Sequence, residues 1–512
     1  MKHSFSFCLL LIAFANYMSA QSHKIGVFDT AVDVGNPKLK GSSMYNEATQ
    51  EYSLKGAGYN IWFNRDEFHY LASRISGDFL VTANFDFPFP GKEAHRKLGW
   101  MVRESLQEDA AHITATIHGD GLTVAQWRVM RGAYMRDPQD ELFFPKKKAR
   151  TIQLERRGKV YTMRIANWGE SLQSYGSVTM DNIGNNPYVG LFVGSHNADV
   201  IEEARIWNVR VDRLVQPNFN FGAADTLVSR LEVLDITNGN RKIVYESNQR
   251  FEAPNYMPGG KSLLINSKGS LWTISVTGGE LTKFNTGFAD RNNNDHVISF
   301  DGKMVGISHH RTGMFGGGST VYIVPISGGT PKLVTEKTPS YLHGWSANNK
   351  EVYYVGRRDT SRNSPYHVYK ANIDNGVETQ LTSFKFGHVD GPEASSDSQW
   401  IYYNGSQTGT MQLYRMKTDG SNSEQLTFDQ YNNWFPHLSP DGRWIAYISF
   451  PDDIDPGSHP AMKMVTLKLI PVNGGFPKTI AYMYGGQGTI NTPSWSPDSG
   501  HIAFVSYGGR MK

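Results

Sequence analysis

Between residues 250 and 505 the chain repeats one phrase six times: an aromatic- and proline-bearing approach, a polar reverse turn, then an alternating apolar strand. The clearest copies run Trp434-Phe435-Pro436-His437-Leu438-Ser439-Pro440-Asp441-Gly442 into Trp444–Ile448, and Pro493-Ser494-Trp495-Ser496-Pro497-Asp498-Ser499-Gly500 into Ile502–Val505. Weaker copies centre on Pro258-Gly259, Asp301-Gly302, Asn348-Asn349 and Asp397-Ser398. The turns recur roughly every 42 to 57 residues, near the period at which one four-stranded sheet repeats radially. A single such sheet cannot bury both of its faces, so the copies must stack in a ring, and the repeat predicts a six-bladed β-propeller over residues 225–507. The sixth copy supplies two strands. The missing pair is expected from Leu231–Asp235 and Lys242–Glu246, which would join the start of the ring to its end and leave no free sheet edge.

The preceding region, residues 24–215, also alternates with a period near two, in Phe79–Phe85, His112–Ile117 and Tyr161–Ile165. It predicts an antiparallel β-sandwich, so the whole chain reads as all-β. A low charged fraction of 19% beside 51 glycines fits such a turn-rich fold better than a helical or disordered one. Residues 1–20 read as a signal peptide: Lys2 and His3, an apolar run from Cys8 to Ala15, and the small pair Ser19-Ala20. The expected location is therefore periplasmic or secreted. Cys8 is the sole cysteine, so the exported chain would have neither disulfide nor thiolate metal ligand. No later apolar stretch reaches the length of a transmembrane segment. A net charge of +3 gives no reason to expect a nucleic-acid partner, and Lys146-Lys147-Lys148 reads as a solvated loop.

In the first region Gly58-Tyr59-Asn60-Ile61-Trp62, Asp66–Tyr70, Gly99–Ser105 and Tyr188–Asn197 carry a resemblance to the concanavalin-like (laminin-G-like) jelly rolls. Trp62, Asp66, Glu67, Trp100, Arg103 and Glu104 could serve sugar binding there. Strand alternation sends Arg103 and Glu104 to opposite faces, which disfavours an acid/base pair. The expectation is that the tryptophans are core and the charges pair within the sheet. The second region resembles the TolB-like six-bladed propellers in Ser439–Gly442, Ser496–Ser499, Gln412–Ser421, Gln425–Thr427 and Gln380–Thr382. That resemblance implies an architecture shared by envelope scaffolds, peptidase propellers and polysaccharide lyases, so it does not choose among activities.

Strand order within a blade puts the Ser-Pro-Asp-Gly turns at one end of the ring and the approaches to the innermost strand at the other. Those approaches carry Asn294, Asp295, His296, His343, His388, Asp390, Asn433, His437, Gln487 and Asn491, and the loops after the second strands carry His309, His310, Arg311, Arg357, Arg358 and His459. Seven of the nine histidines after residue 220 fall in these segments. Imidazole transfers protons near neutrality, so His296, His309, His310, His343, His388 and His437 are the catalytic candidates. Each alone also reads as an ordinary polar loop residue, and His437 as a blade-packing one. Arg311, Arg357, Arg358, Asp295, Asp390, Asn433 and Gln487 are the substrate-binding candidates, the guanidiniums favouring a carboxylated or sulfated ligand. An acidic oligosaccharide or polysaccharide is the expected partner and β-elimination from a uronic acid the expected reaction. A divalent metal held by histidines of different blades stays open, because His-Glu-x-x-His is absent and no spacing is diagnostic. Gly-x-Ser-x-Gly and Walker loops are absent too. The competing class is a non-catalytic TolB-like envelope or glycan-binding scaffold with a protein partner.

Overall fold

The computed structural model describes residues 24–214, 227–361 and 364–509, so the signal-peptide segment 1–20 lies outside the described residues. The chain is all-β, an antiparallel sandwich followed by a six-bladed propeller. A 3₁₀ turn at Phe315–Gly318 is the one helical element among the described residues.

One sandwich sheet has seven strands in the order Thr30–Val34, Phe68–Arg74, Tyr188–Gly194, Lys97–Arg103, His112–His118, Thr123–Arg128 and Glu141–Phe144. The facing sheet runs Gln173–Thr179, Val160–Ala166, Thr151–Arg157, Phe79–Asp86, Asn197–Arg213, with Glu51–Gly58 and Ser42–Asn46 beyond it. Alternation sends Phe79, Val81, Ala83 and Phe85 inward to meet Leu71, Trp100, Ile113 and Leu191 from the other sheet. Trp100 is core, as expected. Trp62 is not: it is half-buried, with the Lys97 ammonium 5.9 Å from its ring centre. The charges do pair within the sheet, since the buried Asp66 carboxylate accepts from Arg103 at 2.8 Å and from Arg128 at 2.6 Å.

Five blades are four-stranded antiparallel sheets whose innermost strands are Glu252–Tyr256, Asn292–Ile298, Ser340–Trp345, Val389–Ala394 and Asn432–Leu438. The repeated serine of the turn explains the phrase. Its hydroxyl accepts the backbone N–H at the start of the second strand, at 3.0 Å for Ser299, 2.9 Å for Ser346, 3.0 Å for Ser395, 3.0 Å for Ser439 and 2.9 Å for Ser496. It also donates to the side chain two residues on, Asp301, Asn348, Asp397, Asp441 or Asp498. The turn needs a left-handed residue, Gly302 or Gly442 in two of these copies and Asn349, Ser398 or Ser499, at φ 57°, 61° and 61°, in the other three, so its sequence signature varies from copy to copy.

In the sixth blade Trp495 bridges Ile502, and His501–Gly509 pairs along its whole length with Leu227–Asp235, which pairs in turn with Arg241–Ser247. Strands from before the repeats thus close the ring. The same junction carries a buried carboxylate: Glu232 accepts from Arg210 of the last sandwich strand at 2.5 Å, from Arg241 at 2.8 Å and from the Ser506 hydroxyl. Arg213 also pairs with Gly509, so one sheet runs from sandwich to propeller.

Candidate functional site

At the end of the ring opposite the Ser-x-Asp turns, a cavity of about 310 Å³ opens among five blades. Its wall includes Asp295, Tyr341, His343, Tyr366, His388, Asp390, Phe435, His459, Gln487 and Asn491. A larger hollow, about 760 Å³, lies at the turn end among Phe300, Trp345, Asp397, Trp400 and Pro440. Its one buried acid, Glu393, is already tied to His437, so the smaller cavity is where unspent chemistry collects.

Asp390 is the hub. One carboxylate oxygen lies 2.8 Å from His343 Nε2, and the other lies 3.8 Å from Nε2 of both His388 and His459. Blade three supplies His343, blade four supplies His388 and Asp390, and the loop after Trp444–Phe450 of blade five supplies His459. A bulge sets this up: pairing slips between Asp390 and Glu393, where Gly391 takes φ +59°. A Cβ on Gly391 would come within 3.0 Å of Asn404 Oδ1 and 3.2 Å of the Phe435 backbone. Aromatic rings hold the imidazoles: Phe435 stacks on His343 at 6.0 Å, Trp434 and Phe435 meet His459 edge-on at 4.4 and 5.2 Å, and Tyr366 meets His388 at 5.4 Å.

Burial and charge drive these groups apart. Burial works against protonation of His343, but the Asp390 and Asp295 carboxylates outweigh it and push the ring up to about 9. Burial tends to raise Asp390, yet the His343 charge and its hydrogen bond, with His388, hold it well below the carboxylate range. Burial, joined by Asp390 and opposed by His343, pushes Asp295 up to about 6. Burial lowers His459 against the pull of Asp390. Burial also raises the Tyr341 and Tyr366 phenols, which therefore remain hydrogen-bond donors. The Nδ1 atoms of His343 and His459 meet no partner at hydrogen-bonding geometry. At neutral pH the wall thus carries a cationic imidazole, a neutral one and, in Asp295, a mostly ionised carboxyl group that keeps a protonated minority.

Of the sequence candidates, the structure brings His343, His388, Asp295, Asp390 and Gln487 to this cavity. The others lie elsewhere. His296 is buried with Nε2 3.3 Å from the Leu264 carbonyl of the neighbouring blade. His437 is buried too, Nδ1 at 2.7 Å from Glu393 and Nε2 donating to the Ile490 carbonyl at 2.7 Å, a tie between blades. His309 packs edge-on to Phe288 and Tyr322, and His310 bonds the Gly317 carbonyl. Asn433 donates to Asp429, Gln412 and Thr427, anchoring its own loop. Arg358 is spent on Glu378 and the Pro339 carbonyl. Arg311 is half-buried and outside the cavity wall. Arg357 is near the rim, its guanidinium over Phe315 at 5.2 Å and over Tyr366, a wall residue, at 5.6 Å. Among the described residues no three His, Cys, Asp or Glu side chains are grouped to hold a metal ion; the imidazoles converge on a carboxylate. The tyrosines and Phe435 of the wall sit in no motif that marks a site, and the aromatic approach Trp434-Phe435-Pro436 is the one sequence signal that points to them.

No protein-family profile matches the chain. Over 287 residues, 56% of this chain and 94% of the relative, it is 42% identical to "Uncharacterized protein Atu1656" of Agrobacterium fabrum. The solved "putative TolB" of Agrobacterium tumefaciens is 42% identical over 55% of this chain and 98% of its own, with a TM-score of 0.51. TolB of Acinetobacter baumannii is 15% identical over 51% of this chain and 65% of its own, with a TM-score of 0.40. The aligned length is about that of the propeller, and with identity at that level over nearly all of the relative, the chain belongs to the same family as Agrobacterium Atu1656.

Proposed function

We propose that the protein is an exported carbohydrate-active protein whose channel mouth cleaves an acidic oligosaccharide by β-elimination. The observation that carries this reading is the cluster around Asp390, where proton donors and acceptors of separated affinity face one cavity. His459, kept neutral by burial, would take the proton α to the sugar carboxylate. The freed electron pair forms the new C=C bond as the C–O bond to the leaving sugar breaks, and Asp295, partly protonated at neutral pH, would give its proton to the departing oxygen. The His343 charge, with Arg357 at the rim, would stabilise the carboxylate as it takes up charge. Simple hydrolysis is served less well, because Asp390 is committed to three imidazoles rather than standing as one of two opposed carboxyl groups. On this reading residues 24–215, a concanavalin-like sandwich, and residues 225–507, a TolB-like propeller, are the two domains, and residues 1–20 direct export.

The test is incubation of the purified protein with uronate-containing oligosaccharides, following absorbance of the new conjugated double bond and product mass, one water below that of hydrolysis. The second reading, a TolB-like envelope scaffold that holds a partner peptide at the channel rim, draws on the name of the 42% identical "putative TolB". It takes over if no uronate in the panel yields an unsaturated product.

A further inference from the structure

The sandwich has a cleft of its own, about 520 Å³, far from the propeller cavity in sequence and built from different chemistry. Arg96, Lys148, Arg150 and Arg205 all line it, against one lining carboxylate, Asp86. Arg96 and Arg205 are balanced by Glu202 and Glu51, each at 2.5 Å. Arg150 bonds only the Asn238 carbonyl, at 2.7 Å, and Lys148 makes no ion pair among the described residues. With Asp86 as the third counter-charge, one net positive charge is left over.

Three buried N–H groups of the lining residues also lack a partner at hydrogen-bonding geometry: Arg96 Nε, Arg150 Nε and Trp207 Nε1. Buried donors are almost always satisfied, and a concentration of orphans in one cleft marks where a ligand's acceptors would go. The ring faces are already taken. Arg150 and Arg205 lie over Trp207 at 4.9 and 4.8 Å, and Arg96 over Phe87 at 4.2 Å. The aromatics fix guanidiniums and leave no stacking platform for a nucleobase. A ligand for this wall must be rich in oxygen, carry negative charge and be larger than a single ion.

Lys148 is placed there by the backbone. It adopts φ 55°, uncommon for a residue with a side chain, its N–H bonds the Gly121 carbonyl at 2.7 Å, and its stem occupies the space that Gly121 leaves open. The lysine run is a solvated loop, as expected, with Lys147 and Lys148 exposed, and its backbone sets Lys148 at the cleft edge.

We propose that this cleft binds an acidic saccharide, carboxylated or sulfated, independently of the propeller site. The test is calorimetric titration of the full-length protein with trigalacturonate, with a sulfated disaccharide, with inorganic sulfate and with neutral maltotriose. Lys148→Gln and Arg150→Gln should each weaken an acidic saccharide about tenfold, as expected for losing one charge-assisted contact, and Lys148→Gln should do so without lowering the melting temperature. His459→Gln should leave this binding event intact, which separates its failure from failure of the elimination reading. The relative affinity of the two acidic probes tells carboxylate from sulfate ester as the favoured group. Absence of binding by both acidic probes, equal affinity for maltotriose or free sulfate, or unchanged affinity in both variants would overturn the proposal.

Discussion

Replacing Asp390 by Asn tests the centre of the site through its energetics, without knowledge of a substrate. His343 is buried, and its proton affinity is raised from 6.5 to about 9, chiefly against burial and by Asp390. A group bound more tightly by protons in the folded state stabilises that state fully below its unfolded value and loses the contribution as pH rises through its folded value. The window is therefore pH 6.5 to about 9, and the displacement corresponds to about 3 kcal/mol. Within most of that window Asp295, at about 6, and Asp390, well below its ordinary value, are already ionised, so His343 dominates the cluster's pH response. Urea unfolding at about pH 6 and about pH 10 should show the wild-type advantage over the Asn variant shrinking by up to about 3 kcal/mol between the two. The Asn variant should be weaker at the lower pH and lack most of this His343 contribution, because the neutral amide no longer holds the imidazolium and only the Asp295 carboxylate still supports it. Taking the difference between the two proteins cancels groups elsewhere, such as Lys97, whose affinity burial lowers to about 8. Equal pH slopes in both proteins would refute the assignment of His343 as a charge held by Asp390.

Three other outcomes follow from the same geometry. His459→Gln and Asp295→Asn should each lower the rate of unsaturated-product formation by about 10² to 10⁴ while leaving the urea midpoint near wild type, as read by single-turnover kinetics on a uronate oligosaccharide. Glu232→Gln should destabilise by about 3 to 5 kcal/mol in chemical denaturation, because it leaves Arg210 and Arg241 buried without their shared counter-charge. Deleting residues 225–247 should abolish cooperative unfolding of the propeller, since the whole of His501–Gly509 would lose its outer partner; an unchanged transition would contradict the closure.

The architecture was legible because its signals are local. The Ser-x-Asp turn spans six residues, as from Ser439 to Trp444, its hydrogen bonds are made within that span, and the alternation after it is strict, so the six copies and the closing strands could be placed from spacing. The site was legible only in part, and the innermost strands show why. Pairing slips in these strands of the first five blades, between Glu252 and Asn255, Asn292 and His296, Leu342 and Gly344, Asp390 and Glu393, and Trp434 and His437. A bulge inserts a residue and breaks the two-residue alternation, so the direction of a side chain after it cannot be counted from the turn. The residues just past the slip turn into the seams between blades: Asn255 reaches the Pro493 carbonyl, His296 approaches the Leu264 carbonyl, and Glu393 meets His437. His343 and Asp390, at or before the slip, face the cavity instead. Two histidines of the same type, on equivalent strands and a few residues apart in register, are thereby separated into a structural tie and a candidate for chemistry. Sequence pattern sees both as polar residues near a proline. The distinction is made by extra backbone in the bulge, which in the fourth blade includes the left-handed Gly391, where a Cβ would come within 3.2 Å of the Phe435 backbone of the next innermost strand and force the strands apart, and the Asp390 hub with them.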